Sequence, residues 1–125
     1  MEEPSLTSLN VLDQNCPSRK LLEILANKWT MLIIRVLSRG TQRYKQLHRQ
    51  IGGVTEKMLI QTLRQLEEDG LITRKIYDVV PPQVEYSLTT LGETLIEPID
   101  AITNWAEQHI QEVEAARALS RASAG

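Results

Sequence analysis

Lys57, Gln61 and Arg64 follow one another at intervals of four and three positions, the spacing that stacks side chains on one face of a helix. Lysine and arginine donate to O6 and N7 of guanine, and glutamine bonds adenine through two hydrogen bonds. A helix with these three on one face carries donors suited to base edges in a major groove. Met58 sits at the margin of that face with Ile60 and Gln65 and is grouped with the reading residues, and Thr55 begins the helix. Arg43, Lys45 and Arg49 precede it, where phosphate contacts orient such a module. Arg74 and Lys75, with Tyr77, follow it and are expected to make a second backbone or minor-groove contact. Each cation alone is ordinary surface charge, and the reading rests on their convergence on one motif. Glu67, Glu68 and Asp69 close the helix with charges that repel phosphate, so its N-terminal half is the end that enters a groove.

Cys16 is a second candidate for chemistry. Pro17 follows it, and proline favours the first helical position, so the thiol is expected at a helix N-terminus. Amides and the helix dipole there favour a thiolate, and Arg19 and Lys20 are expected to add positive charge. The competing role is a small buried hydrophobe. With one cysteine in the chain, oxidation joins two subunits or captures a small thiol. His48 and His109 lie far apart with no ligand-spaced partner, so no metal is expected. Neither a G-x-S-x-G string nor a phosphate-cradling glycine loop occurs, and neither an enzyme nor a cofactor is expected.

The elements that position these residues are legible as changes of period. Two short helices between Pro17 and Gly40 are marked by Leu21, Leu22, Ile24 and Leu25, then by Trp29, Leu32, Ile33, Val36 and Leu37, with a break at Asn27-Lys28. A third runs from Tyr44 to Gln50 with Tyr44, Leu47 and Ile51 inward, and Gly52-Gly53 ends it. The reading helix spans about Thr55–Asp69, buries Leu59, Leu63 and Leu66, and stops at Gly70. Short helix, glycine turn and longer helix outline a helix-turn-helix. Beyond Gly70 the period becomes two: residues 71–79 and then Val84, Tyr86 and Leu88 predict a two-stranded hairpin with Pro81-Pro82-Gln83 as its tip. The fold class is therefore mainly α with a small β-hairpin, a winged helix-turn-helix. Thr89 is expected to cap a last helix through Leu91, Leu95, Ile99, Ile102, Trp105, Ile110 and Val113, kinked or broken at Pro98.

That apolar stripe is longer than one small core covers, and a second copy is its natural cover. The expected dimer surface is Ile99, Ile102, Ala106, Ile110 and Val113, with Leu6, Leu9 and Leu12 from the N-terminal arm. The predicted division is an arm over 1–15, a winged helix-turn-helix over 16–89, a dimerisation helix over 90–114 and a flexible tail over 115–125. At 125 residues, 42% hydrophobic and 24% charged, the chain suits one domain. Its net charge of −2 conceals a basic middle: residues 35–75 hold nine Lys/Arg against four acids, while residues 76–125 hold two against eight. A basic middle between acidic ends meets phosphate locally, which an overall acidic chain would not. No segment approaches the ~20 apolar residues of a membrane span, no signal peptide is evident, and a lone cysteine fits a reducing compartment. A soluble, uncleaved intracellular chain without a membrane partner is expected.

The stretch RYKQLHRQIGGVTEKMLIQTLRQLEEDGLITRKIYDVVPPQVEYSLTTLG resembles the HxlR-type transcriptional regulators, winged-helix proteins of the MarR-like group. Cys16-Pro17, Lys28-Trp29-Thr30, Lys57-Met58-Leu59, Leu66 to Leu71, Val80 to Tyr86 and Leu88-Thr89 fall where that family has its motifs, over about residues 16–106. Tyr44 departs from it, since phenylalanine is commoner there. The resemblance implies a homodimer on a pseudo-palindromic operator of double-stranded DNA in a bacterial or archaeal cytoplasm. It places the second motif helix in the major groove and the wings on the flanking backbone. In several such regulators a cysteine at this place senses oxidants or electrophiles, which implies the same role for Cys16. The alternative class is a winged helix used as a protein-interaction module, whose recognition face is often acidic or apolar. Lys57, Gln61 and Arg64 argue against it.

Overall fold

Two capping choices set the first half of the molecule, whose computed structural model describes residues 9–124. Helix α1 (Pro17–Leu25) starts at its proline with Cys16 extended at the N-cap. Helix α2 (Lys28–Leu37) starts because the Asn27 side chain accepts the Trp29 amide at 2.9 Å, so the break read at Asn27-Lys28 is a cap. α2 is the central spine, burying Trp29, Thr30, Ile33, Ile34 and Leu37. A short strand β1 (Gln42–Arg43) leads into α3 (Tyr44–Gln50), where the Arg43 amide donates to Gln46 Oε1 at 2.8 Å. Gly53, at φ +83°, makes the turn to α4 (Glu56–Glu68) in a conformation that side-chain-bearing residues rarely adopt.

The far end of α4 closes in a double-bonded turn: the Gly70 amide donates to Glu67 O (3.1 Å) and the Leu71 amide to Leu66 O (2.9 Å). Leu66 and Leu71, the apolar pair that goes with this turn, are both buried. The chain then enters β2 (Ile72–Tyr77) and β3 (Gln83–Leu88). The sheet is antiparallel in the order β1-β3-β2, with Gln42 opposite Tyr86 and Ile72 opposite Leu88. It therefore has three strands where two were expected. Gln83, expected in the tip, pairs with Tyr77, and the reversal is made by residues 78–82. Leu47, Ile51, Val54, Leu59, Leu63, Leu66, Leu71, Ile72 and Tyr86 join Trp29, Ile33 and Leu37 in one core.

Thr89 joins this body to the C-terminal helices. Its amide donates to Leu71 O at 3.0 Å, its hydroxyl donates to Gly70 O at 2.6 Å, and the same oxygen accepts the Gly92 amide at 3.0 Å. The helix it caps, α5 (Thr90–Glu93), is brief, and α6 (Ile96–Ala124) follows. The break expected near Pro98 falls just before it, leaving the proline in the first turn of α6, where a missing amide costs little. α6 continues unbroken across 115–124, where a frayed tail was expected. Alanine, leucine and arginine there are strong helix formers, and no breaker precedes Gly125.

Candidate nucleic-acid interface

Burial of Leu59, Leu63 and Leu66 fixes the rotation of α4 and turns Lys57, Gln61 and Arg64 together into solvent. Thr55 Oγ1 accepts the Met58 amide at 3.1 Å, so Thr55 positions the start of the helix. Met58 and Ile60 are exposed at the margins of the polar face. At the far end Gln65 Nε2 holds Asp69 at 3.2 Å, keeping a carboxylate at the helix C-terminus and away from its N-terminal half. On α3, Lys45 and Arg49 are exposed one turn apart, and Arg43 is exposed at the helix start.

The wing cations part company. Arg74 is the Cα partner of Tyr86, whose ring is buried, so Arg74 lies on the core-side face of the sheet. There its Nε is 3.6 Å from Glu67 Oε2. Lys75 is opposite Glu85 on the outer face, which Arg43 of β1 shares, with its Nζ 4.8 Å above the Tyr77 ring. The Tyr77 hydroxyl donates to Glu85 Oε2 at 3.0 Å. Arg74 and Lys75 therefore do not form one contact patch, because successive strand residues face opposite ways. Burial pushes the Tyr86 phenol above its ordinary value, the Arg74 charge opposes that shift, the Glu67 charge adds to it and the Arg64 charge opposes it.

Cys16 is buried at the N-cap of α1, its Sγ 2.9 Å from Ser18 Oγ. The thiol is pushed below its ordinary value chiefly by the Ser18 hydroxyl and then the Ser18 amide, with burial acting the other way. The expected help from the Arg19 charge is not the cause. That guanidinium donates to the carbonyls of Val11 (3.1 Å) and Leu12 (3.3 Å). Sequence reasoning missed Ser18, although a hydroxyl two residues into a helix from its cap is the available signal.

On α6, Ile102 and Trp105 are 53% and 57% exposed, Ala106 and Ile110 are exposed, and Val113 is half-buried. Ile99 departs from the expected dimer face: it is 4% exposed, buried within its own chain where α6 packs on α2. Arg35 of α2 pairs with Glu107 there and ties the two helices. Leu9 and Leu12 are exposed, while Leu6 lies outside the described residues. Leu21 and Leu22 on α1 are also exposed apolar residues, although their stripe suggested a core face. His48 stacks on Tyr44, and His109 lies beside Trp105 and Glu112. Among the described residues no cluster of three metal-ligating side chains occurs, and no helix is long and apolar enough to cross a membrane.

The model of the HxlR-like helix-turn-helix family matches residues 24–114. The HTH-type transcriptional regulator YtfH of Escherichia coli is 48% identical over 108 residues, covering 86% of each chain. The solved structure of the ytfH protein of Salmonella typhimurium superposes with a TM-score of 0.83 at 45% identity, covering 86% of this chain and 96% of that one. The redox regulator HypR in its oxidized form superposes with a TM-score of 0.68 at 35% identity, covering 74% of this chain and 96% of that one.

Proposed function

The chain belongs to the HxlR-like helix-turn-helix family and is a transcriptional regulator rather than an enzyme, and from that premise we propose that it reads a pseudo-palindromic operator as a homodimer. The observation that carries this reading is the single exposed face of α4 bearing Lys57, Gln61 and Arg64 beside a grouped acidic end. The N-terminal half of α4 enters the major groove, with Lys57, Met58, Gln61 and Arg64 at base edges and Thr55 holding the helix start. Arg43, Lys45 and Arg49 contact phosphates, and Lys75 extends that contact from the wing. Ile102, Ala106, Ile110 and Val113 of α6, with Leu9 and Leu12, form the seam, and the exposed Leu21, Leu22 and Trp105 join them.

Selection from a random duplex pool tests the reading. Enrichment of an inverted repeat with half-sites about one helical turn, ~34–36 Å, apart supports it. Recovery of no sequence, with a monomer by sedimentation at micromolar concentration, favours the protein-interaction module instead. Ile102→Asp places a charge in the seam and is expected to abolish dimer and operator binding together.

A redox response is the finer part of the proposal. The shift of Cys16 toward thiolate and the likeness to a redox regulator support it. Two Cys16 thiols, one per subunit, lose two protons and two electrons to an oxidant such as diamide and form one bridge. Alternatively one Cys16 thiolate attacks a small disulfide, forming a mixed disulfide as that S–S bond breaks and the other half leaves as a thiolate. Diamide is expected to change operator affinity reversibly in the wild type and to leave Cys16→Ser unchanged. An equal response of both proteins makes the thiol structural.

A further inference from the structure

One ion pair joins the reading helix to the wing. Arg74 Nε and Glu67 Oε2 are 3.6 Å apart, and their side chains remain 45% and 38% exposed. Strand alternation aims Arg74 at α4, as its pairing with Tyr86 requires. Arg64 precedes Glu67 by three positions, which sets both on one flank of α4. Arg74 and Glu67 thus face each other between the wing and the reading helix. With the helix in the groove and the wing on the flanking backbone, as the DNA-binding reading above has them, a DNA strand would pass beside this pair.

We propose that Glu67 is a decoy for DNA phosphate: its carboxylate holds Arg74 in the unbound protein and yields it to a phosphate oxygen in the complex. This rests on the DNA-binding reading above. A carboxylate and a phosphate present a guanidinium with the same kind of anionic acceptor. The existing pair is longer than the 2.7–2.9 Å of a close charge-assisted bond and half in solvent, so it is screened and weakly held. Exchange leaves Arg74 partnered and Glu67 facing phosphate, which lowers affinity for any duplex. An operator offsets this through base contacts, whereas bulk DNA has none to offer. Glu67 therefore sets how weakly the protein is retained by random sequence.

The test titrates the full-length wild type, Glu67→Gln, Glu68→Gln and Glu67→Gln/Arg74→Ala with a labelled random-sequence duplex over a range of salt. Glu67→Gln is expected to bind about two- to five-fold tighter than wild type. Glu68→Gln makes the same charge change at an adjacent exposed position outside the pair, and a smaller gain is expected. The double variant is expected to show a salt slope shallower than Glu67→Gln by about 0.9, the loss of one phosphate contact. Equal gains from Glu67→Gln and Glu68→Gln, no gain from Glu67→Gln, or equal slopes for the single and double variants each overturn the decoy. A wild type that retains no duplex even at low salt overturns the DNA-binding reading as well.

Discussion

Gly92→Ala sets two known effects against each other at the junction between the wing and the C-terminal helices. Gly92 is helical, and exchanging a helical glycine for alanine ordinarily stabilises by about 0.5–1 kcal/mol. Here a Cβ would stand 2.0 Å from Leu71 O, 3.0 Å from Leu71 C and 3.3 Å from Leu88 Cδ2. A carbon and a carbonyl oxygen rest no closer than about 3.3 Å, so α5 must retreat by more than an ångström. The obstacle is backbone and cannot rotate away. Retreat strains the bonds from Thr89 to Leu71 O and Gly70 O, each worth about 1 kcal/mol, on top of an overpacking cost of about 1–3 kcal/mol. After the propensity gain the variant should be less stable by roughly 2–4.5 kcal/mol, a fall in Tm of about 8–18 °C for a domain of this size. Thermal and urea melts followed by far-ultraviolet circular dichroism measure it. An unchanged or raised Tm would mean that α5 does not press on Leu71, and the reasoning fails.

Tyr44 carries a buried hydroxyl with no hydrogen-bond partner among the described residues, so Tyr44→Phe should raise stability by about 1 kcal/mol in the same melts. Arg64→Ala should cost ~1–3 kcal/mol on the selected operator and relax preference at one base pair per half-site. Lys45→Ala should weaken operator and random duplex alike and flatten the salt slope by about one. Ser18→Ala removes the principal cause of the lowered Cys16 thiol and should shift its alkylation-rate midpoint to higher pH, read with iodoacetamide at increasing pH. An unmoved midpoint would refute that cause.

Features written by one residue and its close neighbours were legible in the sequence. Thr55 and Thr89 cap their helices as expected, the break at Asn27-Lys28 is where α2 begins, Gly70 ends the reading helix, and Leu59, Leu63 and Leu66 fix its rotation, because each signal lies within a few residues of its effect. β1 was not legible: two residues have no period, and they form a strand only through their register with Tyr86 and Glu85. Ile99 falls on the same helical stripe as Ile102, and the packing of the folded chain, which includes α6 against α2, covers the first and leaves the second exposed although their type is the same. The opposed faces of Arg74 and Lys75 were implicit in the strand period. Which of the two turns toward Glu67 required the pairing with Tyr86.

The Thr89 junction also governs angular tolerance. The thirteen residues of α4 set its N-terminal tip about 20 Å from its C-terminal end, beside which Gly70 and Leu71 accept from Thr89. Because Leu59, Leu63 and Leu66 fix α4 in the core, it moves only with the whole winged body, and a tilt of that body by about 10° about the junction carries the N-terminal tip of α4 roughly 3.5 Å, close to the ~3.4 Å advance of one base pair. In a two-fold dimer both tips move, so the same loosening in each subunit changes the reach between half-sites by up to two base pairs. On the operator reading proposed above, substitutions at Thr89 or Gly92, neither of them on α4, would therefore alter which operator spacings are accepted while leaving the bases read within each half-site unchanged.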